Sequence, residues 1–208
     1  NPIDGSIMET LKFARDWTVE NNYKGMVISG DGKNFSAGAN LNMILDFSEK
    51  KDWNSLENVI NLMQGLMQEL RFAPFPVVAA PFGLVLGGGF ETIGACDRIV
   101  AAAESYIGLV EVGVGLIPGA GGNLRMISRL TKKIDTMVPG AFPIVQQAFE
   151  TIGYAKVSFS AKQAQSYGYL QKDDIIVVNR EHLLNAAKEE ALSMAEGYKA
   201  PEIESFKL

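Results

Sequence analysis

The order of apolar and polar positions alternates between two periods along the chain. "DGSIMETLKFARDWTVENN" places Ile7, Met8, Leu11, Phe13, Ala14 and Trp17 at helical spacing, with Asp4 positioned as N-cap. "GMVISGDG" is a short apolar strand closed by a Gly-Asp-Gly turn. "NFSAGANLNMI" reads as a loop entering a helix, and "SLENVINLMQGLMQELRFA" as an amphipathic helix ended by Pro74 and Pro76. "PVVAAPFGLVLGG" is a second apolar strand region, "FETIGACD" a helix and "RIVAAAES" a third strand. "YIGLVEVGVGLIPGAGGNLRMISRL" is loop-rich and passes into a helix, and residues 131–156 suggest short helices. "SAKQAQSYGYLQ" is a helix with Ser160 as N-cap and Gly168 near its end, followed by a strand in "DDIIVV" and a last helix in "NREHLLNAAKEEALSMAEGY". Strands alternating with helices predict an α/β fold with mainly parallel pairing.

Composition narrows the function classes. The chain has 208 residues, 47% of them hydrophobic, which is ample for one core. The net charge is −5 with both signs mixed along the chain, and no basic patch interleaved with aromatics stands out, so no nucleic-acid partner is expected. No apolar run approaches the roughly 18 residues of a membrane span, and no signal peptide is expected from this sequence. The single Cys96 leaves no internal disulfide or cysteine metal cluster, and its small apolar neighbours suggest a buried thiol. The single His182 reads as a surface or half-buried helix residue, and no metal site is expected. A reducing, cytoplasmic setting fits this usage. The ends, "NPIDGSIMETL" and "APEIESFKL", suggest a domain taken from a longer polypeptide.

The chemistry gathers around "LGGGFE". The dinucleotide fingerprint fails in each glycine cluster, at Pro118 in "GVGLIP", at Leu124 in "GAGGNL" and at Thr92 in "GGGFET", and no Gly-Lys-Ser/Thr follows. An NAD or ATP site in this chain is therefore not expected. A strand, then bare glycines, then a helix leaves N–H donors at a helix N-terminus, open to a ligand oxygen. That suits an oxyanion hole, where one preformed donor is worth roughly 3–4 kcal/mol. The same glycines serve equally well for tight helix–strand packing. "NFSAGANL" offers a second donor loop. Glu91 and Glu111 both stand in apolar, glycine-rich surroundings. Two carboxylates sharing such a pocket have their pKa values raised and separated, as general acid–base work requires.

"NFSAGANL", "GLVLGGGFETIGACDRIVAA" and "IGLVEVGVGLIPGAGGNLRM" together resemble the crotonase, or enoyl-CoA hydratase/isomerase, superfamily over residues 2–130. "SFSAKQAQSYGYLQ" is similar to that family's later Ser-Ala-x-x-Ala…Gly-Leu segment. The resemblance implies a repeated β-β-α superhelix with C-terminal helices: a core over 1–130 lacking its first strand, and a helical region of the same domain over 131–208. It implies an oxyanion hole from the N–H groups of Ala37 and Gly88, holding the thioester carbonyl of an acyl-CoA. Glu91 would be the base on the water that adds to C3 of a 2-enoyl-CoA, and Glu111 would deliver the proton to C2. Ser36, Ala37, Ala39, Asn40 and Leu41 would line the CoA site. No separate cofactor is implied, since coenzyme A is part of the substrate. Two glutamates favour hydration; a Δ3-Δ2-enoyl-CoA isomerase and a non-catalytic acyl-CoA-binding module are the alternatives. Asn40 replaces the family's usual Asp, and "GGNLR" its usual Gly-Gly-Thr-Gln-Arg. Acyl-chain length is expected to depend on residues 42–66 and 131–156. The chain also resembles the hydratase part of fused proteins with a 3-hydroxyacyl-CoA dehydrogenase, which makes such a domain an expected partner. The family's trimers make a homo-oligomer another.

Overall fold

A computed structural model describes residues 2–133 and 142–203. Helix α1 (Gly5–Glu20) begins at Asp4, whose carboxylate accepts the Ile7 N–H. Strand β1 (Met26–Ile28) follows, then α2 (Leu41–Glu49), capped by Asn40, and α3 (Trp53–Arg71), capped by Asp52. The second apolar stretch is two strands, β2 (Val77–Ala79) and β3 (Gly83–Leu86). They belong to different sheets, and Pro81, which has no N–H to give a ladder, lies between them. Helix α4 (Gly88–Ala95) and β4 (Arg98–Ala102) come next. The stretch read as loop-rich contains a further strand, β5 (Ser105–Gly108), and a 3-10 turn (Glu111–Val114) before α5 (Gly122–Lys133). Within 131–156, the described part after α5 holds one longer helix, α6 (Phe142–Gly153), and residues 134–141 lie outside the described residues. The chain closes with α7 (Ala161–Tyr167), β6 (Ile175–Val177) and α8 (Leu183–Ala195).

The main sheet has the order β1-β2-β4-β6 and is parallel throughout; β3 and β5 form a second, parallel pair. A parallel sheet is covered on both faces, and the strands read accordingly as unbroken apolar runs. The period of two is still visible in the packing. Val77, Ala79, Ile99 and Ala101 face one core with α3 and α4 residues such as Leu70 and Ile93. Val78, Ala80, Val100 and Ala102 face another, made with Leu183, Ala187 and Ala191 of α8. β6, from the C-terminal region, is thus part of the main sheet. Buried Asp174 joins this edge to α5: it pairs with Arg129 at 3.1 Å and accepts the Ile99 and Gln171 N–H groups. The β3–β5 pair ends at Leu86 and Gly108, and both site glutamates follow directly from these ends.

Candidate active site

Each glycine of "LGGGFE" has a different reason to be bare. Gly87 turns the chain from β3 into α4 at φ +52°, and its N–H donates to Gly108 O at 2.8 Å. A Cβ there would also meet Glu111 Oε1 at 3.1 Å. Gly88 is the first residue of α4, and its N–H belongs to the first-turn donors that a helix leaves unpaired. Gly89 lets α4 approach the neighbouring loop, since a Cβ there would stand 2.9 Å from Ser36 Cβ. A chain reversal, an unpaired helix-start N–H and tight packing therefore divide the triplet between them.

The loop is fastened to β3. Ser36 donates its N–H to Leu84 O and accepts the Leu86 N–H, and its Oγ accepts the Gly38 N–H at 3.1 Å. Gly38, at φ +101°, brings the loop alongside α4: its Cβ position lies 3.8 Å from Gly88 N, and that of Gly88 lies 3.6 Å from Ala39 N. Neither the Ala37 nor the Gly88 N–H donates to another group among the described residues.

The two carboxylates have unequal surroundings. Glu91, in the first turn of α4, is only 4% exposed. Its Oε1 accepts the N–H groups of Ala120 and Gly122, each at 2.8 Å. Burial raises its pKa, and the two donors oppose that rise by favouring the charged form. Glu111 opens the 3-10 turn two residues beyond Leu109 and is half-buried. Its Oε2 is buried and has no hydrogen-bond partner among the described residues. Burial pushes its pKa up to about 7, with the charge of Glu91 adding to the rise.

Glu111 titrates in the fold above its ordinary value of 4.5, so the native state retains a proton that the unfolded chain releases between about pH 4.5 and 7. Stability therefore falls as pH rises through that window. E111Q removes the cost of the buried charge. Its melting temperature should exceed that of the wild type by a few degrees at pH 8, screening keeping the gain small, and should match it near pH 4.5. Thermal unfolding followed by circular dichroism at both pH values checks this, and an equal offset at the two contradicts it.

A cavity of about 200 Å³ brings the pieces together. Ala37, Ala39, Leu41, Gly88, Glu91 and Glu111 line it. Its walls are apolar, from Met43 and Ile44 of α2, Val59, Ile60 and Met63 of α3, and Ile117 after the 3-10 turn. A dry cavity of about 150 Å³ accommodates benzene, so this one accepts a reacting group with several methylenes. Ser36 and Asn40 stand outside the lining. Ser36 is 3% exposed with its polar groups engaged in the loop, and Asn40 caps α2 through the Asn42 N–H. Residues 43–63 supply the wall expected from 42–66, whereas no described residue of 131–156 lines the cavity. The Ala120 and Gly122 donors were not anticipated from the sequence. The only signal for them was "GAGG", whose Gly121 sits at φ +112°.

Unpaired backbone donors and two differently tuned carboxylates thus face one apolar cavity on a parallel α/β scaffold. Residues 4–195 match the family described as "Enoyl-CoA hydratase/isomerase", and the chain belongs to that family. It is 45% identical over 191 residues to a "Probable 3-hydroxyacyl-CoA dehydrogenase" of Bacillus subtilis, covering 91% of this chain and 24% of that protein. It is 34% identical over 147 residues to a "Putative fatty acid oxidation complex trifunctional enzyme" of Rickettsia prowazekii, covering 70% of this chain and 20% of that protein. The chain thus spans a quarter or less of the length of these relatives. Its fold is similar to a crystal structure of enoyl-CoA hydratase from Bacillus anthracis, at TM-score 0.76 and 27% identity, covering 94% of this chain and 68% of that one. Among the described residues, no helix is long and apolar enough to cross a membrane.

Proposed function

We propose that this chain is a 2-enoyl-CoA hydratase, adding water reversibly to give a 3-hydroxyacyl-CoA in fatty-acid oxidation. The observation that carries the reading is the contrast between the carboxylates. Glu91 receives two backbone N–H groups, which hold it as the base. Glu111 presents a buried oxygen with no donor among the described residues, which supports its role as the acid. In the forward step Glu91 takes a proton from water as the oxygen bonds to C3. The C2=C3 electron pair shifts toward the thioester, whose oxygen takes on negative charge against the Ala37 and Gly88 N–H groups. As the double bond re-forms at the carbonyl, C2 accepts the proton from Glu111. Water has then been added across the bond, and the proton on Glu91 returns to Glu111 before the next turnover. Ala37, Ala39 and Leu41 would face the CoA end. The product is of the class named in the description of the Bacillus subtilis relative, so a 3-hydroxyacyl-CoA dehydrogenase partner on the same polypeptide follows naturally.

The direct test is loss of the enoyl thioester absorbance on adding crotonyl-CoA, with 3-hydroxybutyryl-CoA identified as product. Turnover of a 3-enoyl-CoA with none of the 2-enoyl-CoA would establish an isomerase instead. The pH profile gives a second check. The acid must carry its proton, and Glu111 releases it at about pH 7, so kcat/KM of the free enzyme should fall as pH rises through that value. A profile that stays flat from pH 6 to 9 would contradict the role given to Glu111.

A further inference from the structure

A buried phenol outside the cavity lining connects the segments that carry the two glutamates. Tyr169, just past α7, is 0% exposed. Its hydroxyl accepts the Leu109 N–H at 3.1 Å and donates to Lys156 O at 2.8 Å. Leu109 lies between the end of β5 and Glu111. The ring of Tyr169 meets Phe90 edge-on, with centroids 4.9 Å apart, and Phe90 immediately precedes Glu91 on α4. One side chain thus contacts the chain two residues before one carboxylate and one residue before the other. We propose that Tyr169 is a positioning residue for this pair: its hydroxyl fixes the Leu109–Glu111 turn while its ring backs α4. The inference rests on the hydratase reading for its effect on turnover, but its structural content stands apart from it.

The physical argument is one of satisfied groups and excluded water. Removing the hydroxyl takes one hydrogen bond from the buried Leu109 N–H and one from the part-buried Lys156 carbonyl, two groups that otherwise have only each other across the Gly108–Val157 bridge. Either water enters the gap or the turn shifts to find other partners. Both outcomes hydrate the neighbourhood of Glu111, whose raised pKa comes chiefly from burial. Among the described residues, the charge of Glu91 on α4 adds to the rise at Glu111, and the charge of Glu111 in turn raises the Tyr169 phenol, which stays neutral. Added water moves the carboxyl back toward its ordinary value, so less of the acid form is present at neutral pH. A displacement of about 1 Å in a catalytic group can cost about 100-fold in rate without disturbing substrate binding.

The structure also supplies a control. Ser158 Oγ accepts the Ile107 N–H at 3.0 Å and is 0% exposed, so it too is a buried side-chain tie between β5 and the segment around 156–158. It stops short of the Leu109–Glu111 turn.

Y169F and S158A are compared with the wild type in three measurements: kcat and KM for crotonyl-CoA, the pH profile of kcat/KM, and the carboxyl titration of Glu111 by 13C NMR, assigned with E111Q. Y169F should lose about 10- to 100-fold in kcat with KM changed by less than about threefold. Its alkaline limb and the Glu111 titration should both move to lower pH. S158A should lower the melting temperature yet retain the wild-type limb and titration. Wild-type kcat and titration in Y169F would overturn the proposal, as would equal shifts in S158A. If the wild type hydrates no 2-enoyl-CoA, the hydratase reading fails, while the Glu111 titration in Y169F still decides the positioning role. Should Y169F not fold, hydrogen exchange of the Leu109 amide in the wild type decides it. Exchange only through global unfolding supports the clamp, and fast local exchange overturns it.

Discussion

E91Q and E111Q should each lower kcat for 2-enoyl-CoA hydration by about 10²–10⁴-fold, the range a positioned acid or base contributes, with KM changed far less. Neither change should disturb the fold. In E91Q the amide oxygen can still accept the Ala120 and Gly122 N–H groups, so the loop stays fastened to α4. In E111Q a neutral amide replaces a carboxyl whose Oε2 has no partner to lose among the described residues. What disappears is the ability to take a proton from water in one case and to give one to C2 in the other. If the two act as a unit in one turnover, as proposed, the double variant should be little slower than the worse single one. Steady-state rates with crotonyl-CoA, together with calorimetric binding of a non-reacting acyl-CoA, check this. Near-wild-type turnover in either single variant contradicts the assignment of that residue.

The second large effect is on a backbone group. Gly88 is the first residue of α4, the helix position at which proline is best accommodated. G88P therefore deletes one N–H without breaking the helix, and should cost about 10²–10³-fold in kcat, the usual effect of losing one oxyanion donor. G88A is the companion variant. Its Cβ would meet Ile3 Cδ1 at 3.4 Å, and Ala39 N and Met63 Cε at 3.6 Å, all ordinary contacts, and it keeps the N–H. Its loss in kcat should be at least tenfold smaller than that of G88P. Equal losses in two folded variants would mean that bulk at this position, and not the donor, decides the rate.

Much of this was readable in the chain because the signals are local. Asp4 and Ser160 cap the helices they precede, and the apolar runs at 77–79 and 98–102 are central strands of a sheet covered on both faces. Glu91 and Glu111 stood out because charges are rare among such neighbours. β5 did not stand out. Four residues inside a glycine-rich stretch carry little period, and the strand exists through its pairing with β3. The division of "PVVAAPFGLVLGG" between two sheets is likewise a tertiary event. The Ala120 and Gly122 donors are backbone groups, 29 and 31 residues from Glu91, and no residue type marks them. The Tyr169 hydroxyl reaches across 60 residues to Leu109. Val59, Ile60 and Met63 read as the core face of an amphipathic helix, and a sequence period does not distinguish a face turned to a cavity from one turned to a core.

The central claim is that Glu91 and Glu111, with the Ala37 and Gly88 donors, form a hydration site. The most direct measurement is the initial rate of crotonyl-CoA hydration in H2¹⁸O by the wild type and E111Q, with the product analysed by mass spectrometry. The account predicts a 3-hydroxybutyryl-CoA carrying ¹⁸O at C3 from the wild type, and a loss of at least about 100-fold in E111Q. A wild-type protein that binds crotonyl-CoA and leaves it unhydrated would contradict it.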